Sequence, residues 1–339
     1  MDFSSDTSAP AHPLILEAMA RASQGMAPSY GADDWCDLAR QRLRDIFETD
    51  LEMFLVSSGT AANALALSVF CPPTGSVICH EEAHIERDER GAPEFFTGGA
   101  KLQLLGGPNA KIRSEDLKAA LAHRNPNFVH ETPAAMLSIT NLTEFGTRYT
   151  AQEIAALSEL AKGHGLHVHL DGARFANALV GSGSTPAELS WKSGVDILSF
   201  GATKNGALGC EAIILFGQAR ERYPELLARA KRAGHMPAKM RYLGAQMTAY
   251  LDGEFWLERA RHANAMAQRL AGLLCGLKSV TLAQSVDGNE VFAHMSDTLF
   301  HQLVENGLKA YRWHDGSVRF LCNWSTSEKD INKILLEIS

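Results

Sequence analysis

Several features that mark common classes of protein are absent from this sequence or sparse in it. The six cysteines are scattered over 339 residues without a C-x-x-C pair. This spacing excludes zinc-ribbon and thioredoxin-type motifs and argues against a disulfide framework. The first residues contain no cationic region followed by an apolar run, and no apolar stretch is long enough to span a bilayer. We therefore expect a cytoplasmic protein without a membrane segment.

An excess of positive charge is also lacking. The chain has 32 Lys and Arg against 39 Asp and Glu, for a formal net charge of −7. Nucleic acids are bound by clustered basic surfaces, so nucleic acid is not expected as a partner. The one dense run of charge, residues 86–90, is mixed in sign and is expected to be solvated.

Apolar residues make up 45% of the chain, enough for one large core and a smaller one. From about residue 35 to residue 217, short apolar runs alternate with amphipathic segments such as the helix that the Thr150 and Glu153 capping box opens. This alternation predicts an α/β fold with a mainly parallel sheet covered on both faces. The predicted strands are residues 53–56, 76–79, 101–105, 135–139, 167–170, 196–200 and 212–216.

The pattern changes after about residue 243. A long helix is predicted over residues 255–277, followed by strands at 280–282, 291–295 and 318–322 and a closing helix from Ser327. We therefore predict a large domain over residues 1–244, including the N-terminal segment, and a smaller C-terminal α+β domain over residues 245–339.

Candidate functional residues follow the predicted strands, where parallel sheets bind their ligands. Residues 57–63, SSGTAAN, form a small turn that leads into a helix, and such a turn can bind phosphate through free amides and the helix dipole. This feature alone is weak, because many strand–helix turns look similar.

Asp171 closes the predicted strand at 167–170, where an unpaired carboxylate is costly. A protonated pyridine nitrogen would pair with it. Alternatively, Asp171 caps the next helix with Arg174 as its surface partner.

Lys204 follows the strand at 196–200 and is surrounded by small residues. Partial burial would lower its pKa and favour the neutral amine that a Schiff base requires, whereas the alternative is a lysine in a surface loop. The phosphate turn, Asp171 and Lys204 each close a strand of one array. Together they match the needs of pyridoxal 5'-phosphate (PLP), which are a phosphate site, an acid for the ring nitrogen and a lysine for the aldehyde.

Two groups of histidines are further candidates. His84 follows the strand at 76–79 and could stack on a pyridine ring, or it is an ordinary loop histidine. His164, His167 and His169 have a metal-like spacing, but strand alternation puts only His167 and His169 on one face. No metal site is expected.

These residues resemble the L-threonine aldolases of PLP fold type I. The similar stretches are residues 3–7, 58–63 and 169–174, and residues 91–96, 199–206 and 231–235 resemble the branch of low-specificity L-threonine aldolases and phenylserine aldolases. The resemblance covers nearly the whole chain. It implies the PLP-dependent transferase fold type I, with a seven-stranded, mainly parallel sheet in the large domain.

The resemblance also implies a role for each matching residue. Lys204 would bind the cofactor, Asp171 its ring nitrogen and Arg174 its phenolic oxygen, while His84 would stack on the ring. The phosphate would be held by Ser58, Gly59, Thr60, Arg241 and either Lys231 or Arg232, with the interface tyrosine Tyr30 nearby. The substrate carboxylate would be held by Ser5, Arg174 and Arg319. His130 would lie beside the substrate side chain and is the first candidate for the base at the β-hydroxyl.

The implied reaction is the cleavage of L-threonine, L-allo-threonine or a related 3-hydroxy-amino acid such as phenylserine to glycine and an aldehyde. This lyase activity would belong to threonine catabolism and glycine biosynthesis in amino acid metabolism. The resemblance further implies a homotetramer with active sites at dimer interfaces. Other fold-type-I activities, namely β-elimination and transamination, and a non-catalytic PLP-binding role are the alternatives.

The sequence departs from the family in two places. The loop from Gly234 to Arg241 is longer than in the common branch, which leaves the choice between Lys231 and Arg232 open. Many members have Glu-Asn-Thr-His-Asn where residues 140–144 read Thr-Asn-Leu-Thr-Glu. Asn141 is retained, but the acidic residue and the histidine beside it are not.

Overall fold

The computed structural model describes residues 1–122 and 128–336. Its larger sheet has seven strands in the order β1-β7-β6-β5-β4-β2-β3. The strands are β1 (Leu51–Val56), β2 (Ser76–His80), β3 (Lys101–Leu105), β4 (Ala134–Thr140), β5 (His167–Gly172), β6 (Ile197–Gly201) and β7 (Glu211–Phe216). Only β7 runs antiparallel to its two neighbours. The mainly parallel seven-stranded sheet is confirmed.

Among the described residues, ten α-helices surround this sheet or lead away from it. They are α1 (Pro13–Ala22), α2 (Asp34–Phe47), α3 (Gly59–Phe70), α4 (His84–Arg87), α5 (Ala92–Thr97), α6 (Ser114–Ala122), α7 (Ala151–Gly163), α8 (Phe175–Ser182), α9 (Tyr223–Arg232) and α10 (Arg241–Tyr250). In the part of the chain that the structure describes, no helix has the length and apolar character to cross a membrane.

The central helix α3 shows why the sequence folds this way around the site. Its sequence, GTAANALALSVF, has almost no polar face, and nine of its twelve residues are buried. A helix that is apolar all round must lie inside the protein, and α3 contacts β5, β6 and β7. The side chain of Ser58 caps its N-terminus by accepting a hydrogen bond from the amide of Ala61 at 3.2 Å. This packing holds the start of α3 at one edge of the sheet.

The second sheet is small and antiparallel, with the order β10-β11-β9-β8. Its elements are β8 (Thr281–Leu282), β9 (Glu290–His294), β10 (Tyr311–Arg312) and β11 (Val318–Leu321), with α11 (Phe255–Cys275), α12 (Asp297–Glu305) and α13 (Glu328–Leu336). The prediction missed β10, which is only two residues long, and the helix α12. The smaller α+β unit is otherwise confirmed.

The first residues of the chain pack with this smaller sheet. Phe3 is fully buried in its core, and its carbonyl oxygen accepts a hydrogen bond from the amide of Leu321 at 2.9 Å. The amide of Phe3 donates to the carbonyl oxygen of Lys309, also at 2.9 Å. The domain boundary at residue 244 stays a prediction, but the N-terminal segment shares its core with the C-terminal part.

Candidate active site

A cavity of about 220 Å³ lies at the carboxyl edge of the large sheet. The elements β1, β2, β4, β5 and β6 each end there, and the antiparallel β7 begins there. Its lining residues are Thr7, Ser57, Ser58, Gly59, Thr60, Asn63, His84, Glu144, Asp171, Ala173, Thr203, Lys204 and Glu211. The structure therefore brings together the turn at 57–63, Asp171, Lys204 and His84, as expected from their positions after strands.

The start of α3 forms one wall of this cavity. Gly59 and Thr60 are the first two residues of the helix, so their amides have no acceptor within it. The positive end of the helix dipole adds to the attraction for an anion at this point. This wall can bind a phosphate group.

Asp171 also lines this cavity and is 3% exposed. Its Oδ2 accepts a hydrogen bond from Asn63 Nδ2 at 2.9 Å, and its Oδ1 accepts one from the amide of Ala173 at 3.0 Å. The helix-cap interpretation is not supported, because Arg174 is the N-cap residue of α8 and is itself buried rather than on the surface.

His84 is held by a carboxylate that the sequence analysis missed. Its Nδ1 lies 2.8 Å from Glu89 Oε1, and the same oxygen accepts a hydrogen bond from Asn63 Nδ2 at 2.8 Å. Burial acts to lower the pKa of His84, but the hydrogen bond to Glu89 and nearby carboxylates raise it above its usual value. Glu89 is 3% exposed, and burial raises its pKa. The prediction that residues 86–90 are solvated is therefore wrong for Glu89, because it folds inward to bond His84 and Asn63.

Lys204 is half-buried in a 3₁₀ turn, Thr203–Asn205, that follows β6. Beside it is Glu211, whose Oε2 accepts a hydrogen bond from the amide of Ala202 at 3.1 Å. Burial raises the pKa of Glu211 to about 7. The surface-loop alternative for Lys204 does not hold, since this lysine lines the cavity with a buried carboxyl group next to it.

Buried charges form a second cluster near the cavity. Arg174 Nε bonds Asp6 Oδ2 at 2.7 Å, and its Nη1 lies 3.5 Å from Glu290 Oε2. Burial opposes the charge on Asp6, but Arg174 and Lys204 hold its pKa below the usual value. Burial raises the pKa of Glu290 to about 7 against the effect of Arg174 and Arg319.

Arg319 and Ser5 belong to the same region. The guanidinium of Arg319 lies 4.5 Å from the centre of the Trp313 ring and 4.7 Å from that of Tyr311. Its Nε is buried and has no hydrogen-bond partner among the described residues. Burial lowers the pKa of Arg319. The hydroxyl of Ser5 is 2.7 Å from Thr7 Oγ1, and Thr7 lines the cavity.

The other residues expected at the phosphate lie together away from the cavity. Lys231 Nζ is 4.1 Å from the centre of the Tyr30 ring, and the amide of Tyr30 donates to the carbonyl oxygen of Ala238 at 3.0 Å. Arg241 Nη1 donates to the carbonyl oxygen of Gly25 at 3.0 Å, and Arg232 is exposed at the end of α9. None of these four expected residues lines the cavity of its own chain.

The histidines outside the cavity have other surroundings. His130 is exposed, with its ring 5.0 Å from that of Phe128, and does not line the cavity. Both ring nitrogens of His169 bond serine hydroxyls, at 2.9 and 3.0 Å, and burial lowers its pKa to about 4. The ring of His167 packs against Phe70 at 4.6 Å. Within the described ranges no three side chains form a group that could hold a metal ion.

Three further residues at the cavity carried a signal that could have identified them. Asn63 carries an amide side chain inside a mostly apolar helix, and Glu211 begins a buried strand. Glu144 is the last residue of the stretch 140–144, and it supplies an acidic side chain four positions after the place where many family members have a glutamate. Glu89 had no such signal, because it stands in a run of five charged residues.

Comparisons with known proteins agree with this geometry. A model of the beta-eliminating lyase family matches residues 2–298. A low-specificity L-threonine aldolase from Pseudomonas sp. is 40% identical over 337 residues, which cover 99% of this chain and 96% of that protein. The structure of a threonine aldolase from Leishmania major has a TM-score of 0.91 and 31% identity, and the match covers 99% of this chain and 98% of that one.

A PLP-dependent aminotransferase from Streptococcus suis shares the fold, with a TM-score of 0.75 at 17% identity over 99% of this chain and 91% of that one. The fold and the cavity thus define a class, the PLP-dependent enzymes of fold type I. Within this class the chain belongs to the beta-eliminating lyase family and, inside that family, to the L-threonine aldolases.

Proposed function

We propose that this protein is a PLP-dependent, low-specificity L-threonine aldolase, an aldehyde-lyase that cleaves L-threonine, L-allo-threonine or phenylserine to glycine and an aldehyde. The observation that carries the proposal is the placement of Lys204, Asp171 and the start of α3 around one cavity. The 40% identity to a low-specificity L-threonine aldolase over nearly the full chain supports the substrate class.

The residues around the cavity fit PLP. The buried carboxylate of Asp171 takes part in none of the ion pairs found in the described part of the chain, and a protonated pyridine nitrogen would satisfy it. Gly59 and Thr60 offer free amides to a phosphate, and Lys204 offers an amine to an aldehyde. When bound, PLP supplies an electron sink for the negative charge that develops on the α-carbon of the substrate.

Arg319 is best suited to bind the substrate carboxylate. Asp6 and Glu290 already engage the charge of Arg174, whereas Arg319 Nε has no partner among the described residues. A guanidinium on a carboxylate fixes both position and direction, so Arg319 would orient the Cα–Cβ bond for cleavage. Ser5 and Arg174 would border this subsite.

A base must accept the proton of the β-hydroxyl as the Cα–Cβ bond breaks. The geometry supports His84, which lines the cavity. The expected role of His130 stays a prediction, because this residue is exposed and packs against Phe128. The buried Asp171 would keep a proton on the ring nitrogen throughout.

The active protein would be a homotetramer in the cytoplasm that acts in threonine catabolism and glycine biosynthesis. Tyr30, Lys231 and Arg241 lie in contact or near one another outside the cavity of their own chain, where they could reach the phosphate in a second subunit. All six cysteines are free, which is typical of a reducing compartment. In sedimentation measurements we expect four chains per particle, and Arg241→Ala should weaken PLP binding.

Product analysis tests the proposed reaction. The holoenzyme is incubated with L-threonine, L-allo-threonine and L-phenylserine in parallel, and glycine, aldehyde, ammonia and keto acid are quantified. We expect equal amounts of glycine and aldehyde, and none from a Lys204→Ala control. Ammonia and keto acid would instead indicate β-elimination or a related activity, and the absence of all products would indicate a non-catalytic PLP-binding protein.

A further inference from the structure

Glu89 is a buried carboxylate that the reaction described above does not use. It is 3% exposed, although its four neighbours in residues 86–90 are all charged. Its Oε1 receives both hydrogen bonds, from His84 Nδ1 and from Asn63 Nδ2, each at 2.8 Å. Its Oε2 is buried without a partner among the described residues. Burying a charged carboxylate costs free energy unless all of its oxygens find partners, and Oε2 has none within the described ranges. The burial of Glu89 therefore calls for an explanation.

Asn63 connects Glu89 to the acid of the site. Its Nδ2 donates one hydrogen to Glu89 Oε1 and the other to Asp171 Oδ2, the latter at 2.9 Å. An amide has two such hydrogens, and both are used here. The carbonyl oxygen of Asn63 cannot face two carboxylates, so the orientation of the amide is determined by its partners. The position of Glu89 Oε1 is thereby fixed relative to Asp171.

The hydrogen bond to Glu89 also determines which nitrogen of His84 carries the hydrogen. Glu89 Oε1 already accepts a hydrogen bond from Asn63. Because a carboxylate oxygen can only accept hydrogen bonds, Nδ1 of His84 must be the donor in the bond between them. In the neutral ring the other nitrogen, Nε2, then has a free lone pair. His84 lines the cavity while its Nδ1 side is turned to the buried Glu89. Nε2 is therefore the nitrogen available to a substrate.

We propose that Glu89 is a positioning residue that holds His84 in the tautomer whose Nε2 accepts the β-hydroxyl proton of the substrate. The inference rests on the proposed aldolase function. In the step, the O–H proton moves to Nε2, and the O–H electron pair forms the aldehyde C=O bond. The Cα–Cβ electron pair would be taken up by the electron sink that PLP supplies when bound. The imidazolium that forms is stabilised by Glu89 through Nδ1–H.

The arrangement makes a specific prediction for Glu89→Gln. The side chain keeps its size and one acceptor oxygen, but it loses the charge that favours a protonated His84. A general base contributes about 100- to 10,000-fold to a rate, and a positioning residue accounts for only part of that. We expect cleavage of L-threonine to slow by about 10- to 100-fold. Exchange of the α-proton of glycine in heavy water needs the cofactor and Lys204 but no β-hydroxyl base, so it should stay within about threefold of the wild type.

The test combines kinetics with NMR of ¹⁵N-histidine-labelled holoenzyme, in which His84→Asn assigns the His84 signals. In the wild type we expect the hydrogen on Nδ1, and in Glu89→Gln a lower pKa of His84. The exposed neighbour Asp88 supplies a matched control, since Asp88→Asn removes a charge one residue away and should change neither quantity. Glu89→Gln should add little to the loss in His84→Asn, because both act through one imidazole.

Three results would overturn the inference: a hydrogen on Nε2 in the wild type, an unchanged pKa of His84 in Glu89→Gln, or an equal loss of cleavage and α-proton exchange. The tautomer is measured on the unmodified protein, so it decides the question even if Glu89→Gln does not fold. If the wild-type protein cleaves no 3-hydroxy-amino acid, the proposed function fails, while the tautomer still tests the positioning of His84 separately.

Discussion

Replacing Asp171 with Asn tests the proposed role of this carboxylate, which is to pair with the protonated ring nitrogen of PLP. Asp171 accepts hydrogen bonds at both carboxylate oxygens, from Asn63 and from the amide of Ala173. An asparagine offers one acceptor oxygen, so one of these two donors would face an NH₂ group. Asp171→Asn should therefore lower the free energy of unfolding by about 1–3 kcal/mol, the cost of one unsatisfied buried group.

Asp171→Asn should also slow catalysis. A hydrogen bond to a charged group is worth about 1.5–3 kcal/mol, and about 1.4 kcal/mol corresponds to a tenfold change in rate. Loss of the charge opposite the ring nitrogen should thus reduce kcat for glycine formation from L-threonine by about 10- to 150-fold. The α-proton exchange of glycine should fall in parallel, since it uses the same electron sink.

Asp196→Asn is the matched control. Asp196 precedes β6 at the opposite edge of the sheet, where it pairs with Lys162 at 3.0 Å and accepts a hydrogen bond from the amide of Val168 at 2.8 Å. This variant should lose stability but keep kcat. A folded Asp171→Asn protein with nearly normal turnover would show that Asp171 does not act on the cofactor ring.

Three further changes test other parts of the site. Arg319→Ala should reduce kcat/KM by about 30- to 150-fold, the equivalent of about 2–3 kcal/mol, with little effect on PLP affinity; unchanged kinetics would move the carboxylate site to Arg174. The pKa of Glu290 is raised from 4.5 to about 7, so its contribution to stability is full below pH 4.5 and is lost as the pH rises to about 7. Urea titrations of the apoprotein should show this loss, and Glu290→Gln should lack it. Ser58→Ala removes the N-cap of α3 and should cost about 1 kcal/mol of unfolding free energy, whereas an unchanged value would mean that α3 needs no cap.

The elements of the fold could be predicted from local patterns. All seven strands of the large sheet coincide with short apolar runs bounded by Gly, Pro or polar residues, and the structure extends several of them by one or two residues. The capping box of Thr150 and Glu153 likewise begins a helix as predicted. Strand order, and the antiparallel direction of β7, depend on packing between distant segments and have no local signature.

The candidate site could be predicted in part for the same reason. Asp171 and Lys204 were identifiable because Asp171 closes a buried strand and Lys204 follows one, and all such strands but one end at the same edge. The partner of Arg174 could not be predicted, since Asp6 is 168 residues away in the chain. Glu89 was missed because a run of charges of mixed sign is usually solvated, and the bonds to His84 and Asn63 explain its burial.

Lys204 is the residue on which the whole interpretation depends, and reduction of the holoenzyme with borohydride tests it directly. The purified protein should be yellow, and reduction should fix the cofactor to one lysine that peptide mapping can identify. We predict that the modified peptide contains Lys204 and that Lys204→Ala yields no adduct there. An adduct on any other lysine, such as Lys231, or a protein that binds no PLP would contradict the proposed site.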